Sequence, residues 1–195
     1  MAELQQLLAQ PQPGQRLIAM PGAGTQVPIW LLGSSLFSAR LAAQRGLPYA
    51  FASHFAPRML LQALELYRSE FQPSEALAEP YVVIGVPLIA APDDDEAQYL
   101  ASSVYQRVLS ILTGQRGRLM PPVRDFGERL QAQERAAIQD FLAAAVIGGP
   151  ETVRQGLENL ADVTQADEFM LVCDVFDPAL RLRSLDIAAA AMKAD

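Results

Sequence analysis

The sequence predicts an α/β fold in which helices cover a parallel sheet. Short apolar segments bounded by glycine, proline and serine alternate with longer segments of helical periodicity. Because parallel strands need long crossover connections, usually helices, this alternation is typical of a parallel sheet. The chain has 195 residues, of which 51% are apolar, so it can bury one hydrophobic core.

Residues 1–26 are predicted to be a helix followed by a loop. Glu3–Ala9 can form about two helical turns before Pro11 ends them. Proline and glycine are frequent from Pro11 to Gly24, which favours an irregular connection.

The segment from Val27 to Phe55, VPIWLLGSSLFSARLAAQRGLPYAFASHF, is the most informative part of the chain. It predicts strand Pro28–Leu32, helix Ser34–Arg45 and strand Tyr49–Ala52. Gly33-Ser34-Ser35 joins the first strand to the helix. Free backbone N–H groups, the helix dipole and two hydroxyls suit this turn to an anion. A serine that only caps the helix is the alternative interpretation.

The middle of the chain predicts a helix, a strand and a second, longer helix. These are Pro57–Phe71, Tyr81–Ala90 and a helix that begins at Asp93. Pro87 lies inside the strand, where it cannot donate a ladder hydrogen bond. We therefore expect the strand to bend or end near Pro87, or to lie at an unpaired edge.

The last third predicts an exposed excursion, two helices, a strand and a final helix. The excursion covers residues 114–130 and carries Arg116, Arg118 and Arg124, which suit either a lid or a solvated loop. The later elements are helix Gln131–Val146, helix Glu151–Ala161 after Gly148-Gly149-Pro150, strand Glu168–Val172 and helix Pro178–Met192. Four strands are thus predicted in all.

Charge and composition exclude several classes of protein. A formal net charge of −7 argues against a nucleic-acid partner, because such proteins usually carry a basic face. One cysteine excludes an internal disulfide, and His54, as the single histidine, excludes a multi-histidine metal site. No signal peptide or membrane-length apolar segment is visible, so a cytoplasmic location is expected.

The same residues resemble a known family. A strand, Gly33-Ser34-Ser35 and a helix ending Ala-Ala-Gln-Arg-Gly-Leu-Pro resemble the flavin-phosphate segment of the luciferase-like flavin-dependent monooxygenases, the bacterial luciferase superfamily. Gly148-Gly149-Pro150-Glu151-Thr152-Val153 is similar to the family's Gly-x-Pro-Glu-x-Val helix start. Asp167-Glu168 before the last strand is also similar.

The resemblance implies a TIM-barrel fold of which this chain supplies about half. Family members form a (β/α)8 barrel, and the four strands here resemble strands five to eight. Residues 1–195 would then be a single luciferase-like domain, a half-barrel of about four β/α units with extra helices. Glu3–Ala9 would then be the tail of the helix after strand four, and the rest of residues 1–26 the loop that follows it.

The resemblance also implies a cofactor, FMN, and the residues that bind it. Its phosphate would meet the hydroxyls of Ser34, Ser35 and Ser38, with Gly33 allowing close backbone approach. Ser53 and His54 would face the same mouth, and His54 would contact the flavin or the substrate, or only begin the next helix. No catalytic residue is implied in this part of the barrel. A reductase would supply reduced flavin, which with O2 would oxygenate a small organic molecule.

Two alternatives remain open. The chain could be a non-catalytic half-barrel that self-associates as a homo-oligomer and binds flavin weakly or not at all. It could also be a small flavodoxin-like or Rossmann-type nucleotide binder, although the GxGxxG motif of the Rossmann type is absent.

Overall fold

The computed structural model describes residues 2–115 and 117–193, and it confirms the α/β class. The five strands form one parallel sheet. The strands are β1 (Leu31–Gly33), β2 (Tyr49–Phe51), β3 (Val82–Ala90), β4 (Val146–Gly148) and β5 (Glu168–Val172). The helices are α1 (Ala2–Leu8), α2 (Leu36–Arg45), α3 (Leu60–Ser69), α4 (Asp94–Leu112), α5 (Ala132–Phe141), α6 (Pro150–Thr164) and α7 (Pro178–Ala191).

The four predicted strands lie next to one another in chain order, as β1, β2, β3 and β5. β2 pairs with Val82–Ile84 of β3, and β5 pairs with Val83–Pro87. Because these two segments overlap, β2 and β5 lie on opposite edges of β3. The order matches the prediction, and the sheet is a partial barrel that does not close.

The strand β4 is a correction to the sequence analysis, which predicted a helix over Gln131–Val146. The helix α5 ends at Phe141, and Val146–Gly148 pairs with Leu88–Ala90 of β3. Three alanines precede Val146 and favour a helix by propensity, but strand pairing decides the structure.

Pro87 is accommodated because its ring nitrogen faces away from β5. The carbonyl of Gly85, two residues earlier, points to the β2 edge and accepts a hydrogen bond from Ser53. Since backbone groups alternate along a strand, Pro87 faces the same edge, beyond the end of β2 at Phe51. No ladder bond is lost there, and β3 continues to Ala90. The expected strand end near Pro87 is wrong, whereas a locally unpaired edge is found.

The two faces of β3 carry different helices. The side chains of Ile84, Leu88 and the other even-numbered residues pack in one cluster with α2, α3, α6 and α7. Ile89 points to the opposite face and packs with α4 and α5. Helices therefore pack on both faces of β3. The predicted excursion, residues 114–130, is the middle of a longer insertion. This insertion begins with α4, ends with β4 and separates β3 from α6 in the chain.

The face covered by α4 and α5 remains open elsewhere. Leu32 of β1 is 69% exposed and Met170 of β5 is 63% exposed, although both belong to the sheet. Their strand neighbours Leu31 and Leu171 pack into the cluster on the other face. The open face is thus the inner face of the partial barrel.

The amino-terminal segment forms the predicted helix and loop. The loop folds back on the helix end, where Gln26 donates its N–H to the carbonyl of Leu8 at 3.0 Å. No residue of α1 is buried. None of the helices in the described ranges combines the length and the apolar composition that a membrane crossing requires.

Asp94 ties the start of α4 to the start of α6. Its carboxylate accepts hydrogen bonds from the N–H of Gly149 at 2.6 Å and from Thr152 Oγ1 at 3.0 Å. The bond from Gly149, followed by the bond from Thr152, holds the pKa of Asp94 below its ordinary value.

We predict that stability falls in acid partly through Asp94. Because its folded pKa lies below its unfolded pKa, its contribution is present above the unfolded value, near ~3.9, and is lost as pH falls through the folded value. In urea titrations, the free energy of unfolding of the Asp94→Asn variant should therefore fall less between about pH 6 and about pH 3 than that of the unchanged chain. The control is Asp95→Asn, at an exposed neighbour. An equal reduction in both variants would contradict the assignment.

Candidate functional site

The carboxyl ends of β1 and β2 bring the predicted site residues to one edge of the sheet. Gly33 at the end of β1 is in register with Phe51 at the end of β2. Ala52 donates its N–H to the carbonyl of Gly33 at 2.9 Å. The Gly33-Ser34-Ser35 turn and the pair Ser53-His54 therefore leave the sheet side by side, where barrel enzymes bind ligands.

The turn after β1 is shaped by a capping box. Ser35 is the N-cap of α2, and its Oγ accepts from the N–H of Ser38 at 3.3 Å. In return the N–H of Ser35 donates to Ser38 Oγ at 3.4 Å. A Cβ at position 33 would collide with Ser38 Oγ, so Gly33 is required by the turn itself. The capping interpretation is confirmed for Ser35.

Ser38 faces inward. Its side chain is 8% exposed, and its hydroxyl donates to the carbonyl of Ser35 at 2.7 Å and lies 3.1 Å from the hydroxyl of Tyr49. Burial raises the pKa of the Tyr49 hydroxyl, and the hydrogen bond with Ser38 offsets part of that rise. Ser38 therefore fastens α2 to β2, and its proton is already used.

Several donors of the turn have no partner among the described residues. They are the hydroxyl of Ser34 and the N–H groups of Leu36 and Phe37, which begin α2. Phe37 is 76% exposed, so this end of the helix is open. Free N–H groups at the positive end of a helix dipole suit a phosphate. The residues present therefore fit the phosphate of FMN.

Ser53 connects two strands. It is fully buried, and its Oγ donates to the carbonyl of Gly85 in β3. This bond satisfies the carbonyl of Gly85 at the point where β2 has ended. The Ser53 hydroxyl is thus used to hold the backbone that positions His54.

His54 lies over Gly85. A Cβ on Gly85 would be 2.5 Å from Nδ1 of His54, so only glycine leaves room for the ring there. Nδ1 is buried and has no hydrogen-bond partner in the described part of the chain. The ring also packs beside Phe55, with 4.2 Å between the ring centroids.

A cavity of about 210 Å³ lies beside His54, between the ends of the strands and α4. Its lining includes His54, Phe55, Pro87, Val108, Phe141 and Val172. Arg107 and Asp174 form an ion pair of 2.6 Å at its wall. Sequence reasoning identified His54 but missed the other lining residues, although Asp174 follows the last strand and could have been found by that position.

Two larger cavities, of about 400 and 450 Å³, lie along another side of α4. Both are lined by Gln98, Tyr105 and Gly127, and neither touches β1, β2, β3 or β5. We place the site at the smaller cavity because barrel sites form where strand ends converge.

Two arginines of the excursion, Arg118 and Arg124, do not line the cavity beside His54. Arg124 stacks over the ring of Tyr99, with 4.8 Å to the ring centroid, and Arg118 is exposed. Arg116 lies outside the described residues. Across the described ranges, no cluster of three metal-binding side chains is present.

Comparison with known sequences identifies relatives of this chain. The family model of the luciferase-like monooxygenases matches residues 2–165. YvbT of Bacillus subtilis (strain 168), an uncharacterized protein, is 49% identical over 171 residues, which are 88% of this chain and 51% of that protein. A luciferase-like monooxygenase of Escherichia coli (strain K12) is 43% identical over 176 residues, 90% of this chain and 52% of that protein. The chain therefore spans about half the length of these relatives.

Solved structures have the same fold. Apo-MsnO8 superimposes with a TM-score of 0.74 and 28% identity, over 100% of this chain and 59% of its own. The oxygenating constituent of 3,6-diketocamphane monooxygenase from Pseudomonas putida, in complex with FMN, gives 0.60 and 19%, over 90% and 50%. The coenzyme F420-dependent tetrahydromethanopterin reductase of Methanopyrus kandleri gives 0.57 and 16%, over 96% and 58%.

The last two likenesses show the fold alone, whereas the family model covers most of the residues. With its parallel partial barrel and an open helix start at the end of β1, this chain belongs to the luciferase-like monooxygenase family.

Proposed function

We propose that the chain holds the flavin phosphate of an FMN-dependent monooxygenase that oxygenates a small organic molecule with reduced flavin and O2. The observation that carries the proposal is the set of unpartnered donors at Ser34, Leu36 and Phe37, at the carboxyl end of β1. Family membership favours a flavin as the molecule that carries the phosphate, and the FMN complex of a structural neighbour favours FMN.

Each residue of the turn has a separate role in this proposal. Ser34 and the N–H groups of Leu36 and Phe37 donate to the phosphate. Ser35 caps the helix, and its hydroxyl, which lies 3.3 Å from Ser38 Oγ, would turn from Ser38 to the phosphate. Ser38 and Gly33 hold the turn in shape. When bound, reduced FMN would supply the electrons and the reaction with O2. The protein would orient the flavin and exclude water.

The cellular setting of the proposal follows from its chemistry. Reduced flavin has to be delivered to the protein, so we propose a flavin reductase as a partner and the cytoplasm as the location.

The inner face exposes Leu32 and Met170, and a partner surface would be needed to shield these apolar side chains from water.

We predict that the turn recognises the phosphate of FMN rather than its ring. The 195-residue chain should bind FMN more tightly than riboflavin, which lacks the phosphate, when both are titrated by flavin fluorescence. Ser34→Ala should weaken FMN binding by about tenfold or more, because one hydrogen bond to a charged group is worth ~1.5 kcal/mol or more. It should leave stability unchanged, since the Ser34 hydroxyl has no partner in the described structure.

A second variant separates phosphate binding from helix capping. Ser35→Asp keeps a good N-cap but places a negative charge beside the phosphate. It should retain the melting temperature and lose the preference for FMN over riboflavin. Ser35→Ala serves as the control for cap loss, with a cost of ~1 kcal/mol in stability. If Ser35→Asp keeps the preference for FMN, the turn is a helix cap only.

We also propose that this chain self-associates through its inner face. A second copy related by a two-fold axis would cover Leu32 and Met170, which are large, apolar and exposed on the same side of the sheet. Unpaired β1 and β5 edges add to the tendency of this surface to find a partner.

Sedimentation should therefore show a mass above that of the monomer, rising with concentration in the micromolar range. The double variant Leu32→Glu, Met170→Glu should shift the chain to the monomer. Val163→Glu, at a 62% exposed apolar residue of α6, should behave as the unchanged chain does. A monodisperse monomer of the unchanged chain would refute self-association.

A further inference from the structure

His54 has one ring nitrogen that a ligand can reach. Nδ1 is buried against Gly85 and lacks a partner among the described residues. Nε2 is not among the buried, unpartnered atoms, although the ring makes no hydrogen bond in the described ranges. The free nitrogen is therefore Nε2, on a ring that lines the cavity beneath α4.

The surroundings of Nδ1 decide which nitrogen carries the proton. A buried N–H without an acceptor is rarer in proteins than a buried lone pair without a donor. When the ring carries one proton, Nδ1 is therefore the bare nitrogen and the proton sits on Nε2. His54 thus offers one hydrogen-bond donor to the cavity.

Most of the remaining side chains that line the cavity are apolar. Val104, Val108, Leu142 and Val172 give it apolar walls. Arg107 and Asp174 are bonded to each other at 2.6 Å, so their charges are mutually compensated. His54 is the one polar side chain of the described lining that lies outside this ion pair.

The size of the cavity limits what it can hold. Its volume is about 210 Å³. One water molecule occupies ~30 Å³ of liquid, so this space corresponds to roughly seven non-hydrogen atoms. A compact molecule of about that size therefore matches the cavity.

We propose that this cavity binds a compact, largely apolar carbonyl compound, a small ketone or ester, whose oxygen accepts a hydrogen bond from Nε2 of His54. His54 is then a residue that determines substrate specificity. The word substrate rests on the proposed monooxygenase function, whereas the binding itself requires no flavin.

The chain offers a direct test because His54 is its single histidine. In the 195-residue chain labelled with nitrogen-15 histidine, NMR should show one protonated nitrogen, Nε2, and one bare nitrogen, Nδ1. Cyclohexanone, with seven non-hydrogen atoms, should shift the Nε2 signal saturably in the absence of flavin. Cyclohexane, which has the same ring without the acceptor, should not.

Three variants extend the test by ligand-observed NMR. His54→Phe keeps a ring but removes the donor, and it should weaken cyclohexanone binding by roughly fivefold to tenfold. Leu142→Trp should fill the cavity and abolish binding. Leu130→Trp is the matched control, because Leu130 lines only the larger cavity on the other side of α4. It should bind cyclohexanone as the unchanged chain does.

Each opposite result overturns the proposal. A protonated Nδ1, an equal shift with cyclohexane, or unchanged binding by His54→Phe excludes recognition of the carbonyl by Nε2. A shift caused by riboflavin but not by cyclohexanone assigns His54 to the flavin. If the unchanged chain binds FMN no more tightly than riboflavin, the phosphate site is refuted without affecting these measurements, so the two failures are distinguishable.

Discussion

The structure depends on the pairing of β3. This strand is buried on both faces and pairs with β2, β4 and β5, more partners than any other strand in the described chain. Burial of a side chain such as Ile84 or Leu88 contributes ~1.5–3 kcal/mol, so its outer face anchors the four helices packed there. Its inner face carries Gly85, Pro87 and Ile89, which lie under the candidate site and the excursion. The same strand thus holds the core and sets the floor of the site.

Two close approaches at glycine then position the polar groups. Gly33 leaves room for Ser38, which locks the turn after β1, and Gly85 leaves room for the His54 ring. In both places a side chain from a neighbouring element occupies the space that a Cβ would fill. Ser38 and Nδ1 of His54 are thus held inward, and the hydroxyl of Ser34 and Nε2 of His54 are left to face a ligand.

The sequence predicts what depends on local chemistry. The strand and helix around Gly33, the caps and the order of the four main strands follow from periodicity and turn residues, and the structure confirms them. It does not predict β4, because Val146–Gly148 is a strand only by pairing with β3. Nor does it predict the ion pair of Arg107 and Asp174, which are 67 residues apart. Similarly, matching residues to a motif counts Ser34, Ser35 and Ser38 alike, whereas burial separates them.

This difference between local and distant contacts also divides the site into two parts. The turn after β1 is built from contiguous residues that complete its capping box, and Tyr49 of β2 and Ala52 after it support the turn from the next strand. The cavity beside His54 exists only while α4 lies over the strand ends. That helix is held to the last strand and to α7 by apolar packing and by two half-exposed ion pairs, Arg107 with Asp174 and Glu96 with Arg183. Such pairs contribute at most ~1 kcal/mol each, so the packing of α4 decides the shape of the cavity. An anion site of this kind tolerates changes in the excursion, whereas the volume available to a second ligand changes with every substitution on the inner side of α4.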